Sequence, residues 1–309
     1  MRAKEFFAGF DVGGTQIKYG VTDGDGRLVF KGRKASPESA DELFSLVDDL
    51  WADMKTQCPG RIAACGFGLA GFFSSREQII LQSPNYPLLD SLSFVSPLKK
   101  IFGVPFWIDN DANMAAYGEW ARRFCGEKDS LVFLTLGTGL GSGIILAGRL
   151  WQGRNGFAGE LGHLIVNPEG ERCNCGARGC LETEVSASRI AANYRYYARS
   201  EESLTSRDVH LRARRGDPAA LKSFERCAYY LGIGLGGVIS LFDPGCIVLG
   251  GGVMAAGRFL LRPTIEETRR RTNPFAFAHC SIERSVLGND AGILGASVWA
   301  RDRRSGKYD

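Results

Sequence analysis

The sequence predicts an α/β protein of two packed lobes, on three observations. Its 309 residues exceed the size at which a single hydrophobic core usually stops growing. Short apolar or alternating runs are separated by longer runs of helical period, the pattern of strands joined by helices. A strand, glycine turn, strand unit at the N-terminus returns mid-chain, so two similar halves with a cleft between them are expected.

Taken in order, Phe6 to Asp11 is short and apolar, Gly13-Gly14 turns the chain, and Gln16 to Thr22 and Arg27 to Lys31 alternate as paired strands do. Ser36-Pro37-Glu38 reads as the cap of a helix running to about Lys55, and Arg61 to Gly68 as a buried strand. Leu92 to Phe102 has helical spacing, Val104 to Ile108 is a strand, and Asn110-Asp111 opens a helix through Phe124. The pattern then restarts with a strand at Leu131 to Leu136, a glycine turn, and a strand at Ser142 to Ala147. Trp151 to Cys180 is dominated by glycine and polar residues, a long loop region that needs something to order it. Helices follow at Ser186 to Ala198 and Asp217 to Phe242, then a strand at Cys246 to Leu249 and the triplet Gly250 to Gly252. A helix near Leu260 to Arg271, a strand at Ala278 to Ile282 and a helix from about Asp290 close the chain, with no low-complexity linker.

Composition narrows the function. The apolar share of 44% is ordinary for a globular protein, and no stretch approaches the ~20 apolar residues of a membrane span. Met1-Arg2-Ala3-Lys4-Glu5 lacks the apolar segment of a secretory signal, so a cytoplasmic protein is expected. The net charge of +4 is small beside 38 basic and 34 acidic residues. The basic clusters at Arg212 to Arg215, Arg269 to Arg271 and Arg301 to Lys307 are short and read as solvated helix faces or chain ends, so no nucleic-acid partner is indicated. Nine cysteines, an odd count without secretory context, argue against a disulfide framework. Cys58, Cys65, Cys125, Cys227, Cys246 and Cys280 read as isolated thiols, which leaves the close trio Cys173, Cys175 and Cys180.

With His163 that trio gives the spacing H-x9-C-x-C-x4-C, one imidazole and three thiols suited to tetrahedral zinc. Gly176 and Gly179 let the backbone fold around an ion. With all four positions filled by protein the zinc is structural, ordering the loop rather than activating water.

Asp11-Val12-Gly13-Gly14-Thr15 ends a strand on a carboxylate and enters a turn whose N–H groups can reach phosphate oxygens, while Asp11 can hold magnesium or its waters. Alone it reads more readily as a simple turn. A second turn at Gly137-Thr138-Gly139-Leu140-Gly141 and a third glycine cluster at Gly250 to Gly252 shift the reading to three turns around one nucleotide. No G-x-x-x-x-G-K-[ST] occurs, which excludes a P-loop. The formal G-x-G-x-x-G at Gly232, Gly234 and Gly237 lies inside a helical run without a preceding strand, so it reads as close helix packing.

Asp109-Asn110-Asp111-Ala112-Asn113 stands where a strand gives way to a helix. A carboxylate there can take the proton of a hydroxyl attacking a γ-phosphoryl group while an amide orients a neighbouring hydroxyl, although an N-cap is the plainer use. Glu160, Glu182 and Glu184, around the zinc loop, favour the chemical use because sugar hydroxyls need paired acceptors and donors.

These motifs together resemble the ROK family of sugar kinases, within the actin, hexokinase and Hsp70 superfamily. The likeness spans nearly the whole chain: D-x-G-G-T at Asp11 to Thr15, N-D-A-N at Asn110 to Asn113, G-T-G-x-G at Gly137 to Gly141, E-x-G-H at Glu160 to His163, C-x-C-G-x-x-G-C-x-E at Cys173 to Glu182 and G-G-G from Gly250. It implies a two-lobed actin-like ATPase (ribonuclease H-like) fold with the active site in the interlobe cleft, a small lobe at 1–111 completed by the C-terminal helix at about 290–309, and a large lobe at 112–289 carrying the zinc loop. It implies Asp111 as general base on the sugar's primary hydroxyl and Asn110, Asn85, Glu160, Glu182 and His163 as sugar contacts, His163 also giving one ring nitrogen to zinc. It further implies that Asp11 stands near magnesium and that Gly13, Gly14, Thr15, Gly137, Thr138, Gly139, Gly250 and Gly251 line the ATP site.

Gln16, with Lys18 two residues on, stands where the family usually has lysine after D-x-G-G-T. Ala70 replaces a common proline in Gly68-Leu69-Ala70-Gly71, and Leu88-Leu89 follows Pro87 where glucokinase-like members often have Gly-Trp. The expected activity is ATP- and magnesium-dependent phosphorylation of a hexose, glucose first, in a dimer or tetramer whose lobe closure excludes water. The alternatives are an N-acetylglucosamine, N-acetylmannosamine or fructose kinase. A further alternative, a sugar-responsive regulator, is disfavoured because the family's regulators carry a helix-turn-helix ahead of the D-x-G-G-T turn and ten residues precede Asp11 here.

Overall fold

The computed structural model describes residues 4–74, 77, 79–84, 86–123 and 130–307. It divides into two compact units, Met1–Asp129 with Gly143–Gly159 and Asn289–Asp309, and Ser130–Ser142 with Glu160–Gly288.

In the first unit β1 (Glu5–Val12) is buried over most of its length because it is central, between antiparallel β2 (Gln16–Asp23) and parallel β4 (Arg61–Leu69). With β3 (Leu28–Ala35) and β7 (Phe106–Asn110) they give the order β3-β2-β1-β4-β7. Helix α1 (Ala40–Gln57) buries Leu43, Val47, Leu50, Trp51 and Met54 on one face, and Phe10 and Phe67 stack at 4.6 Å within the same core. The expected cap at Ser36-Pro37-Glu38 is corrected to Ser39, whose hydroxyl accepts the Glu42 N–H, while the Ser36 hydroxyl donates to the Gly13 carbonyl. A short hairpin, β5 (Phe72–Ser74) and β6 (Ile79–Gln82), and α2 (Val95–Ile101) lead to β7.

Helix α3 (Asp111–Arg123) and α10 (Ala291–Arg304) complete this unit; Phe124, the expected last residue of α3, lies outside the described residues. The expected division at 111/112 falls at the first residue of α3, whereas the compact unit continues through it because α3 packs backbone to backbone on α10. A Cβ on Gly295 would stand 1.7 Å from the Met114 carbonyl oxygen, and one on Gly66 2.0 Å from that of Ala296. Gly295→Ala should therefore cost about 3 kcal/mol, read as a lowered denaturant midpoint with unchanged slope.

The second sheet has the order β10-β9-β8-β11-β12, the same succession as the first, from β8 (Leu131–Leu136), β9 (Leu140–Leu146), β10 (Arg149–Leu150), β11 (Cys246–Gly250) and β12 (Ser281–Arg284). The second unit adds α4 (Leu181–Val185), α5 (Ala187–Ala198), α6 (Ser206–Arg214), α7 (Pro218–Phe242), α8 (Arg258–Arg271) and α9 (Pro274–Ala278). The glycines of α7 serve packing: a Cβ on Gly232 would stand 2.7 Å from the Glu267 side chain of α8, and one on Gly234 2.8 Å from Leu181 of α4. The strand expected at Ala278 to Ile282 is corrected to α9 followed by β12. The Asn273 side chain accepts the Phe275 N–H and Pro274 opens the turn, so the apolar run there coils once before the strand begins. Among the described residues no helix is long and apolar enough to cross a membrane.

Candidate active site and metal centre

In the first unit the parallel register sets Asp11 opposite Gly68 and Gly68 opposite Asp109, so two carboxylates stand in one row near the carboxyl ends of β1, β4 and β7. Asp109 is 2% exposed. Its Oδ1 accepts the Asn110 N–H at 2.7 Å and the Asn113 amide at 2.8 Å, and its Oδ2 accepts the amide of Gln152. Burial nevertheless raises its pKa to about 6.

Asn110 caps α3: its Oδ1 accepts the Ala112 N–H at 2.8 Å and the Asn113 N–H at 3.2 Å, and its Nδ2 donates to the Gly71 carbonyl at 2.9 Å. The plainer of its two sequence readings is thus realised here. Asp111 follows as the first helical residue. Burial, and then the charge of Asp11, push its pKa up to about 7 against the opposing pull of the Ala112 N–H and Lys18. A carboxylate held near neutrality is suited to taking a proton.

Lys18 is the cross-strand partner of Asp11 and its ammonium lies 2.8 Å from Asp11 Oδ2. Residues 16 and 18 share a face of β2 because side chains alternate along a strand. The cation at this carboxylate is thus that of Lys18, with Gln16 beside it on the strand. The Gly13-Gly14 turn is closed by the Gly13 N–H on the Gln16 carbonyl, with Thr15 exposed at its tip.

In the second unit Leu140 gathers the remaining motifs. It lies in the Gly137 to Gly141 turn, and its N–H donates to Glu182 Oε2 at 2.8 Å. The 3-10 turn Leu161–His163, with Glu160 at its head, seats so closely on Leu140 that a Cβ on Gly162 would stand 2.2 Å from the Leu140 carbonyl. The Gly137 carbonyl accepts the Ala187 N–H, tying the same turn to α5. Gly250 pairs with Thr135 across β11 and β8, and Gly251, at φ +84°, lies against the end of β8. Two of the three glycine turns are therefore neighbours, and among the described residues a Cβ on Gly137 or Gly252 would meet nothing within 4 Å.

His163, Cys173, Cys175 and Cys180 converge, their donor atoms all within 4.8 Å of one another. With Zn–S near 2.3 Å and Zn–N near 2.05 Å, tetrahedral geometry puts two sulfurs about 3.8 Å apart and a sulfur and nitrogen about 3.6 Å apart. Cys175 Sγ and Cys180 Sγ are separated by 3.7 Å, and Cys173 Sγ and His163 Nδ1 by 3.6 Å. The donor set fits zinc in chemistry and in dimension. The Cys173 thiol is also 3.9 Å from Glu182 Oε1.

Glu184 does not join this group. Buried in α4, it accepts the Asn167 amide at 2.6 Å and so fastens the entry to the metal loop. Asn85 and Cys125 lie outside the described residues. Sequence reasoning did not single out Gln152, whose contact with Asp109 joins residues 43 apart and has no local signal.

A family model described as the ROK family matches residues 7–303. The chain is 33% identical to a glucokinase of Thermotoga maritima, over 96% of this chain and 98% of that one. It is 28% identical to an N-acetylmannosamine kinase of Escherichia coli O157:H7, over 95% and 98%. A crystal structure of a ROK family glucokinase from Streptomyces griseus in complex with glucose and AMPPNP superposes with a TM-score of 0.82 at 32% identity, covering 96% of this chain and 99% of that one. Matched over nearly its whole length by the family model and 33% identical to a glucokinase over 96% of the chain, the chain belongs to the ROK family.

Proposed function

We propose that the chain is an ATP-dependent sugar kinase that phosphorylates the primary hydroxyl of a hexose, with glucose as its substrate. The observation that carries this reading is Asp111, a carboxylate fixed at the start of α3 and raised to about 7, in a chain similar to a glucokinase crystallised with glucose and AMPPNP. Asp111 takes the hydroxyl proton as that oxygen bonds to the γ-phosphorus and the bond to the ADP oxygen breaks. Asn110, Glu160, Glu182 and His163 orient the sugar, with Asn85 as a further contact. The turns at Gly13-Gly14-Thr15, Gly137-Thr138-Gly139 and Gly250-Gly251 hold the nucleotide. A magnesium ion, when bound, neutralises charge on the β- and γ-phosphates, and Asp11 is the residue to hold it or its waters. Zinc, when bound, fixes the loop that carries His163 and leads into Glu182. The sequence and the resemblance support a cytoplasmic homodimer or homotetramer that binds no nucleic acid.

A second reading, an N-acetylmannosamine kinase, is favoured by the 28% identical relative and by Leu88-Leu89 where glucokinase-like members often have Gly-Trp. ADP release measured with glucose, N-acetylglucosamine, N-acetylmannosamine and fructose should give the highest kcat/KM with glucose. A higher value with either N-acetylated sugar would transfer the assignment to an amino-sugar kinase.

A further inference from the structure

The carboxylate of Asp109 is enclosed, and every hydrogen bond described for it but one comes from its own segment. Oδ1 accepts the Asn110 N–H and the Asn113 amide; Asn110 in turn caps the first turn of α3 through Ala112 and Asn113. Asp109 is thus the hub of a ring of bonds that fixes where β7 stops, where α3 starts, and so where Asp111 stands. The remaining bond, from Gln152 Nε2 to Asp109 Oδ2, arrives from elsewhere in the chain. Gln152 is itself set by its backbone, whose carbonyl accepts the Ala158 N–H at 3.2 Å, and by its neighbour Trp151, whose N–H donates to the Ile144 carbonyl at 2.7 Å. It therefore presents its amide from a braced turn of the same unit.

We propose that Gln152 is a positioning residue for phosphoryl transfer, holding the Asp109 hub through its amide so that Asp111 meets the sugar hydroxyl in line. A buried carboxylate oxygen that loses its donor must find another or move, and Asp111, two residues on, moves with it. A displacement of about 1 Å at a reacting group can lower the rate about 100-fold.

The inference rests on Asp111 being the base of a sugar kinase. Gln152→Glu faces Asp109 with a second carboxylate and should lower kcat about 100-fold, the sugar KM changing by less than about threefold. Adding Asp109→Asn restores the pairing with donor and acceptor exchanged. The amide introduced at position 109 then donates to the carboxylate introduced at position 152, and its carbonyl oxygen still accepts from Asn110 and Asn113. The double variant should regain a kcat within about fivefold of the unsubstituted chain. Turnover of Gln152→Glu at the unsubstituted rate, or a double variant as slow as Gln152→Glu, would overturn the role of Gln152. Where Gln152→Glu fails to fold, Gln152→Ala serves, with about a tenfold fall in kcat expected at unchanged sugar KM. A fall confined to sugar affinity, with kcat unchanged, would then count against the proposal. Failure of the unsubstituted chain to phosphorylate any hexose would instead overturn the kinase reading, so the two failures are distinct.

Discussion

Asp111→Asn should lower kcat by about 1000-fold while leaving the dissociation constant for the sugar within about threefold of the unsubstituted value. Asparagine keeps the size of the side chain and cannot accept the proton, so the loss falls on the chemical step. The unsubstituted enzyme should show the same group in its pH dependence. With the Asp111 pKa near 7, protonation below that value removes the acceptor, and log kcat/KM should fall with unit slope as pH drops through about 7. In Asp111→Asn the residual rate should be flat across that limb.

The variant also separates chemistry from folding. A carboxyl whose pKa is higher in the folded than in the unfolded chain favours folding fully below the unfolded value of about 4, and that contribution is lost as pH rises to about 7. Asp111→Asn should therefore melt no lower than the unsubstituted chain at pH 8. Turnover close to normal with saturating sugar would remove Asp111 from the role of base, and a much lower melting temperature at pH 8 would contradict its raised pKa.

The second large effect concerns the metal. Purified chain should carry about one zinc, and Cys175→Ser much less. Cys175 is the exposed member of the four, and its thiol stands 3.7 Å from Cys180, so serine there removes a donor with little change of volume. The sugar KM should rise about 10- to 100-fold, whereas the KM for ATP should change by less than about threefold. The asymmetry follows from chain connections. His163 closes the turn headed by Glu160, and Cys180 caps the helix that carries Glu182, whereas the turns at Gly137 and Gly250 rest chiefly on β8 and β11, the first touching Glu182 through the Leu140 N–H. Equal losses for sugar and ATP would mean that the metal supports the whole unit rather than the loop, and a zinc-free chain with full activity would end the assignment.

These two sites differ in how far the sequence discloses them. The zinc ligands are legible because three thiols within eight residues, with no disulfide framework to join, have few other uses, and the structure brings their donor atoms and that of His163 within 4.8 Å of one another. The repeated strand, glycine turn, strand unit discloses two similar halves through period-two patterning and turn chemistry, whereas the strand order they share rests on parallel pairs distant in sequence. Asn110 shows where such reading stops. Its segment fits a sugar contact and an N-cap equally, and only coordinates show its oxygen on the cap and one amide hydrogen on Gly71. Gln152 left no trace because its partner is distant in sequence. Helix α6 is harder to read because it is short and polar and buries only Val209 and Ala213, although the Thr205 and Asp208 capping box marks its start. The strand expected at Ala278 to Ile282 starts only at Ser281, because the Asn273-Pro274 cap coils the run through Ala278 first.

The central claim, phosphoryl transfer from ATP to the primary hydroxyl of a hexose, is tested most directly by incubating the chain with ATP, magnesium and glucose and locating the phosphate on the product by phosphorus NMR. Phosphate on the 6-hydroxyl, with 6-deoxyglucose bound but not phosphorylated, is the predicted result. Phosphate on the anomeric hydroxyl, or no sugar-dependent ADP release with glucose or any other hexose, would contradict it.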